Sequence, residues 1–364
     1  MTDPERDPWL AGDGARGAEP LPLQTEEGVA PNGGLPDLSK RFFNLRTALS
    51  FAMGFAILLV VFSRINVEAG AILARLGEAN PWYYLAGLGV YYLTFLVRSL
   101  RWRQLLWNVG YGGEPGVRLP SVLGTAEIIL LSWFANCVVP AKLGDAYRAY
   151  LLKRTANVSF SKTFGTIVAE RIMDVLLLVV LMALAAFVVF HGAVPSEIQL
   201  VMQVGLVLVV LAVVGLLALR NLGGLIQRLL PHRFRDHYGK LEEGVLASFQ
   251  ALPLLVLYTA LAWGVEAGRL YFVGLALGLV GMPLPLILFV ALAGALLTTL
   301  PFTPAGLGFV ETGIVGILLL TGRLGLLPGI DESTATSVAI LDRTISYWSL
   351  IVFGFVAYVL SRKT

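Results

Sequence analysis

Apolar segments long enough to cross a lipid bilayer recur from residue 47 to the C-terminus of this 364-residue chain. Hydrophobic residues make up 57% of the sequence and charged residues only 14%, and the mean hydropathy is +0.76. Soluble domains carry about a quarter charged residues, and a helix needs about 20 apolar residues to cross the hydrocarbon core. The sequence therefore predicts an all-α, polytopic membrane helix bundle. It has no polar stretch long enough to form a soluble catalytic domain.

The N-terminal region differs from the rest of the chain. Residues 1–38 are rich in Asp, Glu, Gly and Pro, which predicts a disordered cytoplasmic tail. The sequence KRFFNLR at 40–46 then places positive charges before the first apolar segment, and such charges favour the cytoplasmic side of a membrane. We therefore expect a single transmembrane domain over 39–364 in the cell membrane, with the N-terminus in the cytoplasm.

Hydropathy predicts six full spans and two broken apolar segments. The loop 220–250 carries five Lys or Arg residues and is expected in the cytoplasm, whereas the link after the third span and the link after the fifth carry none. The prediction is about six full crossings plus two opposed re-entrant helical hairpins, with both termini cytoplasmic. A plain alternation of eight to ten spans is the alternative. The full spans cover about 47–63, 81–100, 162–190, 198–219, 252–280 and 337–360, and the broken segments are 121–154 and 284–321.

The two broken segments share a sequence pattern. One contains V-P-A-K-L-G-D-A-Y and the other T-P-A-G-L-G-F-V-E, and each is followed by a helix with an acid–arginine dipeptide. Proline and glycine interrupt helices, and an interrupted backbone persists at membrane depth only where protein or a watery cavity covers it. Inverted repeats with broken helices are a transporter architecture. We predict two inverted repeats, over about 121–190 and 284–360; alternatively, Pro and Gly only kink ordinary spans.

Ionisable residues inside apolar segments are candidates for a function, because each costs about 3 kcal/mol at the bilayer centre on insertion scales. We expect a polar cavity between the hairpin tips, where arginines offer paired donors to a phosphate and acids orient them or take up a proton. The alternative is a set of salt bridges that only fixes helix packing. The candidate substrate-binding residues are Asn136, Pro140, Lys142, Gly144, Asp145, Arg148, Glu170, Arg171, Asp174, Glu266, Arg269, Thr303, Pro304, Gly306, Gly308, Glu311, Asp342 and Arg343.

Other polar residues have simpler explanations. Asn136 and Thr303 precede the two prolines, so they either cap the broken helix ends or contact a ligand. Snorkelling toward the membrane surface, or packing salt bridges, explains the basic residues at the ends of apolar segments. These are Arg98, Arg101, Arg103, Lys153 and Arg154.

Patterns for other chemistry are missing from the sequence. It contains no dinucleotide-binding, P-loop, metalloprotease or nucleophile-elbow motif. The three histidines lie outside the apolar segments, the single cysteine cannot form an intrachain disulfide, and the net charge of +3 is spread over loops. We therefore expect no enzymatic activity, no cofactor, no metal site and no nucleic-acid partner.

Four ordered stretches, NCVVPAKLGDAYRAYLLKR, AERIMDVLLL, LPFTPAGLGFVETG and LDRTISYW, resemble the lysylphosphatidylglycerol synthase transmembrane-region family, also described as flippase-like membrane proteins. The resemblance covers most of residues 45–360. It implies a membrane bundle associated with lipid translocation, seen in fused form beside an aminoacyl-lipid synthase. No acyltransferase-like domain follows before Thr364, so we do not expect synthesis of a lysyl-lipid. The family motifs match at Asn136, Pro140, Gly144, Asp145, Arg148, Glu170, Arg171, Asp174, Pro304, Gly306, Gly308, Glu311 and Arg343.

Three functions are compatible with these features. The first is a lipid translocase that passes an anionic or aminoacylated phospholipid headgroup between the hairpins. The second is a proton-coupled carrier of a polyprenyl-phosphate or a soluble anion. The third is a membrane enzyme or an accessory subunit of a separate lipid-modifying enzyme. The expected partners are a phospholipid or other anionic lipid and the bilayer itself, with a homo-oligomer or a separate lipid synthase left open.

Overall fold

The computed structural model describes residues 69–361 except 139–142, 193 and 300–302, together with a few positions between 49 and 60. All the elements in these residues are helical, which confirms the all-α prediction for them; the predicted tail and most of the first span lie outside. A 3₁₀ turn, Pro304–Gly306, precedes the helix that begins at Phe309. A π-helical turn, Thr344–Trp348, joins the helix that ends at Arg343 to the helix that begins at Ser349. The helices α1 to α12 are, in order, Ala69–Gly77, Pro81–Asn108, Val122–Val138, Leu143–Ala156, Phe160–Val189, Ser196–Leu229, His232–Ser248, Leu252–Ala276, Leu284–Thr298, Phe309–Arg323, Glu332–Arg343 and Ser349–Leu360.

Several helices have the length and composition to cross a membrane. Among the described residues these segments are Phe160–Val189, Ser196–Leu229, Pro304–Arg323 and Glu332–Leu360. Helices α7 and α8 meet at 85° and make a fifth span if the bent pair counts as one. Because a helix of 20 residues is about 30 Å long, this is the fold of a multi-pass membrane protein. Six crossings with two re-entrant hairpins stay a prediction.

Each broken apolar segment folds into two helices that pack against each other. Helices α3 and α4 form hairpin one, and α9 and α10 form hairpin two. The turn of hairpin one, with Pro140 and Lys142, lies outside the described residues. In hairpin two the φ angles are 71° at Gly306 and 89° at Gly308, in the left-handed region that favours glycine. Gly308, which belongs to the repeated pattern, and Gly306, which stands where hairpin one has Lys142, therefore help to make this turn.

The glycine of hairpin one has a different role. A Cβ atom on Gly144 would lie 2.0 Å from the backbone oxygen of Ser132, so a side chain larger than hydrogen cannot fit there. Gly144 therefore allows the start of α4 to approach the backbone of α3.

A long helix precedes each hairpin, α2 before hairpin one and α8 before hairpin two, and these two helices pack extensively against each other. Helix α5 follows hairpin one and packs against α9, while α11 follows hairpin two and contacts α8. The order of long helix, hairpin and acid–arginine helix thus occurs twice. We call α2–α5 repeat one and α8–α12 repeat two. Each of these units has one helix more than the segment predicted as a repeat, and elements of both meet at the centre of the bundle. Inverted repeats over about 121–190 and 284–360 stay a prediction.

Three element boundaries differ from the sequence prediction. The predicted loop 220–250 is largely helical, because α6 continues to Leu229 and α7 covers most of the rest. The basic residues there have long aliphatic stems, which let a helix continue past the apolar core. Helix α2 continues to Asn108 instead of ending near residue 100. Helix α11 begins at Glu332, before the predicted start at 337, because the Asp331 carboxylate accepts a hydrogen bond from the Thr334 backbone N at 2.7 Å.

Helix α6 lies at the edge of the bundle. Of its 34 residues only Ile198, Gly205 and Gly223 are buried, and apolar side chains such as Leu211 and Val214 are exposed. In a multi-pass membrane protein these side chains face lipid hydrocarbon.

Candidate functional site

Charged side chains from both repeats are buried or largely buried at the centre of the bundle. Each arginine forms an ion pair with at least one of the acids, as buried charges require. Because arginines and acids are equal in number, the network as a whole is neutral. Within the described part of the chain it comprises Arg98, Arg101, Arg148, Arg171, Arg269 and Arg343 together with Asp145, Glu170, Asp174, Glu266, Glu311 and Asp342.

Two arginines hold Glu170 in repeat one. Arg148 donates to both carboxylate oxygens at 3.0 Å, and Arg101 Nη2 lies 3.0 Å from Oε1. The Arg148 guanidinium also stacks 3.8 Å from the centre of the Trp102 ring. All three charged side chains are at most 2% exposed. This cluster therefore joins α2, α4 and α5 and is sealed from open space.

Asp174, one turn further along α5, has three arginine neighbours. Arg101 Nη2 donates to its Oδ2 at 3.2 Å, and Arg98 and Arg171 each lie 3.7 Å from that oxygen. Arg171 and Asp174 are three residues apart on α5, so they lie on one helix face and make this longer contact.

The acid after the break in hairpin one is bound by Arg171. Arg171 Nε and Nη2 donate to the two oxygens of Asp145 at 3.0 and 2.8 Å. The first turn of α4 is capped separately, because the Gly144 backbone N donates to Asn136 Oδ1 at 2.8 Å. This contact confirms the capping alternative for Asn136.

Repeat two contains the corresponding pair, Arg343 and Glu311. Arg343 Nε donates to Glu311 Oε1 at 2.8 Å, and Nη2 donates to the Ala305 carbonyl at 3.2 Å. The other Glu311 oxygen accepts from the Gly308 backbone N at 2.7 Å. In both repeats, then, the arginine of the acid–arginine dipeptide binds the acid that follows the break.

The acids of the two dipeptides bind arginines of the long helices. Glu170 pairs with Arg101 of α2, and Asp342 pairs with Arg269 of α8. Arg269 also donates at 2.9 Å to Oε1 of Glu266, which precedes it by three residues on α8. The two networks therefore follow the same plan.

A cavity of about 190 Å³ lies between the two repeats. Four arginines and three acids are among the described residues that line it: Arg98, Arg171, Arg269, Arg343, Asp174, Glu266 and Asp342. Arg98 is the arginine most loosely held by acids, since its single acid contact is 3.7 Å long. Its guanidinium lies 4.9 Å from the centre of the Trp133 ring and 5.3 Å from that of Trp263. The cavity thus presents a guanidinium between two indole rings.

Several polar atoms around this cavity are buried and have no hydrogen-bond partner among the described residues. They are Trp263 Nε1, Glu266 Oε2, Arg269 Nε, Thr303 Oγ1 and Ser346 Oγ, and all belong to lining residues. Buried polar groups normally have partners. A set of unpaired donors and acceptors around one cavity therefore favours a site for a polar group.

The π-helical turn contributes to this arrangement. Tyr91 of α2 donates to the Ser346 carbonyl at 3.0 Å, and Tyr347 donates to the Cys137 carbonyl at 3.3 Å. Such π turns occur frequently at functional sites. The turn follows Arg343 directly, so its backbone helps to position that arginine.

The structure brings half of the candidate residues to the cavity. The lining candidates are Asn136, Arg171, Asp174, Glu266, Arg269, Thr303, Pro304, Asp342 and Arg343. The candidates that do not line the cavity are Gly144, Asp145, Arg148, Glu170, Gly306, Gly308 and Glu311. The three acids among them and Arg148 form ion pairs in the surrounding network. Pro140 and Lys142 lie outside the described residues. The Thr303 side chain makes no capping hydrogen bond to the 3₁₀ turn that follows it. Of the two roles predicted for Thr303, ligand contact is the one that remains.

Sequence reasoning missed two arginines of the site. Arg98 and Arg101 are 2% and 0% exposed, so snorkelling is wrong for them and the salt-bridge alternative is confirmed. A signal was present, because Arg98 and Arg101 are three apart on α2 just as Glu266 and Arg269 are on α8. The outer basic residues differ. Lys153 and Arg154 are exposed, and Arg103 donates to the Pro120 carbonyl.

Comparison with known proteins places this chain among membrane proteins. The model of the family described as the lysylphosphatidylglycerol synthase TM region matches residues 47–354. The UPF0104 membrane protein MJ1078 of Methanocaldococcus jannaschii is 34% identical over 231 residues, which are 63% of this chain and 95% of that protein. The UPF0104 membrane protein PH1989 of Pyrococcus horikoshii is 26% identical over 79% of this chain and 89% of its own length. Glycosyltransferase AglD of Haloferax volcanii is 25% identical over 85% of this chain but only 54% of its own length.

Proposed function

This chain belongs to the family of lysylphosphatidylglycerol synthase transmembrane regions, and we propose that it is a lipid translocase, not an enzyme. It moves the anionic or aminoacylated headgroup of a phospholipid through the central cavity. The observation that carries the proposal is a cavity, built by both repeats, that combines four arginines with polar atoms that have no partner in the described part of the chain. A water-filled or headgroup-filled path is the expected use of ionisable groups inside a membrane bundle.

The charge of the cavity fits a phosphodiester. Its described lining carries four arginines and three acids, and the acid contact of Arg98 is 3.7 Å long, so a singly charged phosphodiester supplies the close partner that this arginine lacks among the described residues. Arginine presents a planar fork of donors that matches phosphate oxygens. The acids next to these arginines keep the guanidinium groups oriented. Their carboxylates also accept hydrogen bonds from the ammonium group of an aminoacylated headgroup. A headgroup of this kind therefore finds a partner for each of its charges.

Re-entrant hairpins complete the proposal. Hairpin one enters from the cytoplasmic face and hairpin two from the opposite face of the cell membrane, with both termini in the cytoplasm. The matched contacts of Arg171 with Asp145 and of Arg343 with Glu311 support two equivalent halves. The cavity between the halves then lies near the midplane, where substrate sites of inverted-repeat transporters are found.

A vesicle assay tests the proposal. The purified chain is reconstituted with a nitrobenzoxadiazole-labelled phosphatidylglycerol, and dithionite is added to bleach the outer leaflet. Translocation appears as bleaching of label that began in the inner leaflet. We expect Arg98→Gln to slow this by about tenfold, the effect of losing roughly 1.4 kcal/mol of interaction. Arg98 is the best choice, since Asp174 keeps Arg101 and Arg171 after the change.

The control is Arg233→Ala, which removes an exposed arginine that stacks on Phe234, away from the cavity. It is expected to leave the rate unchanged. A wild-type rate in both Arg98→Gln and Arg343→Ala would contradict transport through this cavity.

A proton-coupled carrier is the second candidate, and one observation favours it. Glu266 lines the cavity and its Oε2 has no hydrogen-bond partner among the described residues, whereas both oxygens of Glu170 are bound by arginine. Glu266 is therefore a better proton carrier than Glu170. If transport of a polyprenyl-phosphate or soluble anion depends on a pH gradient, Glu266→Gln should abolish that dependence. Persistence of the dependence in Glu266→Gln would exclude this role.

A role beside a separate lipid-modifying enzyme is the third candidate. The relative named a glycosyltransferase is about twice as long as the part that this chain matches. The extra length of that relative favours a catalytic region beside the membrane region that this chain matches. By analogy, this chain would work next to a separate enzyme. Product formation by the purified chain alone, with a lipid and an activated sugar, would contradict the absence of enzymatic activity.

A further inference from the structure

A second open space lies on the far side of Arg171. This lateral groove, of about 230 Å³, is lined by residues of α4, α5 and α6, among them Asp145, Arg171, Ile172, Val175 and Ala212. Because α6 exposes most of its apolar side chains at the edge of the bundle, the groove opens at the boundary between protein and lipid.

Arg171 separates the groove from the central cavity. Both Arg171 and Val175 line the two spaces. The Arg171 side chain is 33% exposed, whereas those of Arg101 and Arg148 are at most 1% exposed. Arg171 is therefore the arginine of repeat one that can be reached both from the lateral groove and from the central cavity.

An acid stands on each side of this arginine. Asp145, which binds Arg171 through both oxygens, lines the groove, and Asp174, 3.7 Å from Arg171 Nη1, lines the cavity. Arg171 lies about 17 Å along α5 from its start, inside a helix of 30 residues that has the length and composition of a membrane span. A charged pair beside lipid at that depth is costly, so its position next to a groove calls for a ligand.

We propose that the lateral groove is an access site for the phosphate of a lipid headgroup, with Arg171 as its donor. The phosphate competes with Asp145 for the Nε and Nη2 hydrogens of Arg171. The freed guanidinium then turns toward Asp174 and carries the phosphate past Val175 into the cavity. The acyl chains stay in the bilayer alongside α6. This inference rests on the proposed translocase function and locates the opening on its membrane side.

Blocking the groove tests this path. Ala212→Trp fills the groove from α6, and Val214→Trp is the matched control, because two residues rotate a helix by about 200° and place that ring in lipid. In the vesicle assay with labelled phosphatidylglycerol we expect Ala212→Trp to slow translocation by about tenfold or more and Val214→Trp to leave it unchanged. Equal rates for the two variants, with an active wild type, overturn the groove as the path while the translocase function stands.

A binding measurement keeps the inference testable even if the wild type moves no lipid or Ala212→Trp does not fold. The natural cysteine, Cys137, is buried, so Ala212→Cys and Val214→Cys each add one accessible thiol. We expect dihexanoyl-phosphatidylglycerol to slow maleimide labelling of Ala212→Cys by about tenfold and that of Val214→Cys by less than about twofold. Dihexanoylglycerol, which lacks the phosphate, should not protect either thiol. Equal protection of both thiols, or equal protection by the two lipids, overturns the phosphate site.

Discussion

The two hairpins of this protein carry the same sequence pattern but divide its tasks differently. In hairpin one Asn136 caps the helix after the break, and Asp145 uses both oxygens for Arg171. In hairpin two Glu311 does both, since one oxygen accepts from the Gly308 backbone and the other binds Arg343. The acid falls one residue after the glycine in hairpin one and three after it in hairpin two. The position of the acid thus decides whether one side chain both caps the helix and binds the arginine, or whether two side chains share these tasks.

The networks behind the hairpins also differ in charge. Repeat one supplies four arginines and three acids, and repeat two supplies two arginines and three acids. One half is therefore cationic and the other anionic by one charge, and the cavity lies between them. The excess in repeat one comes from α2, whose arginines Arg98 and Arg101 pair with acids of α5. An anionic headgroup should therefore meet repeat one first, which agrees with a groove beside Arg171.

The largest expected effect distinguishes the two dipeptide acids. Glu170→Gln leaves the fully buried Arg148 without its acid partner and leaves Arg101 with Asp174 alone, and removal of one member of a buried pair costs about 3–5 kcal/mol. Asp342→Asn leaves one arginine, Arg269, which keeps Glu266. We expect Glu170→Gln to lower the midpoint of thermal unfolding in detergent more than Asp342→Asn does. Equal midpoints would show that the denser network of repeat one adds no stability.

A smaller effect distinguishes the acids that follow the breaks. Glu311→Ala removes the partner of Arg343 and the cap on Gly308 together, whereas Asp145→Ala leaves the Asn136 cap in place. A helix cap contributes about 1 kcal/mol, so Glu311→Ala should be more destabilising by at least about that amount. Adding Asn136→Ala to Asp145→Ala should reduce the gap. If the double variant unfolds at the same temperature as Asp145→Ala, the division of tasks between the hairpins is wrong.

The smallest effect concerns the starts of the two acid–arginine helices. Ser159 caps α5, whereas the carboxylate of Asp331 caps α11. Although burial alone would raise it, hydrogen bonds from Thr334 and Ser333 lower the pKa of Asp331 to about 2. A depressed pKa means that this carboxylate stabilises the folded state above its unfolded value of about 3.9. That contribution is lost as the pH falls through 2.

The wild type should therefore lose stability between pH 4 and 2 by an amount that Asp331→Asn does not lose, because the amide keeps an acceptor without a charge. Thermal unfolding of the two proteins at both pH values measures the difference. A matching loss in Asp331→Asn would assign the acid sensitivity to other groups.

The sequence predicted those parts of the site that local patterns encode. Glu170, Arg171, Asp342 and Arg343 interrupt apolar segments, so their cost in lipid marks them. For Arg98 and Arg101 the sequence leaves both snorkelling and packing salt bridges open, because RSLRWR ends an apolar run as the basic flanks of a span do. Their acid partner Asp174 lies on another helix, and in the case of Arg101 it is 73 residues away. No local spacing reveals a contact of that kind.

The fold was predictable to a similar extent. Hydropathy located the helices with enough accuracy to identify the repeat, because apolar length and proline breaks are local properties. It did not anticipate that α6 and α7 occupy the basic segment 220–250, since a polar composition suits an exposed helix as well as a loop. Nor did it show that α2 and α8 belong to the repeats, which depends on their packing against each other.

The most direct test of the central claim is a cryo-electron microscopy structure of the protein in nanodiscs that contain phosphatidylglycerol. We expect phosphate density in the cavity, within hydrogen-bond distance of Arg98 from repeat one and of Arg269 or Arg343 from repeat two. Lipid density that follows only the outer surface of α6, with no phosphate at any arginine of the cavity or of the lateral groove, would contradict it.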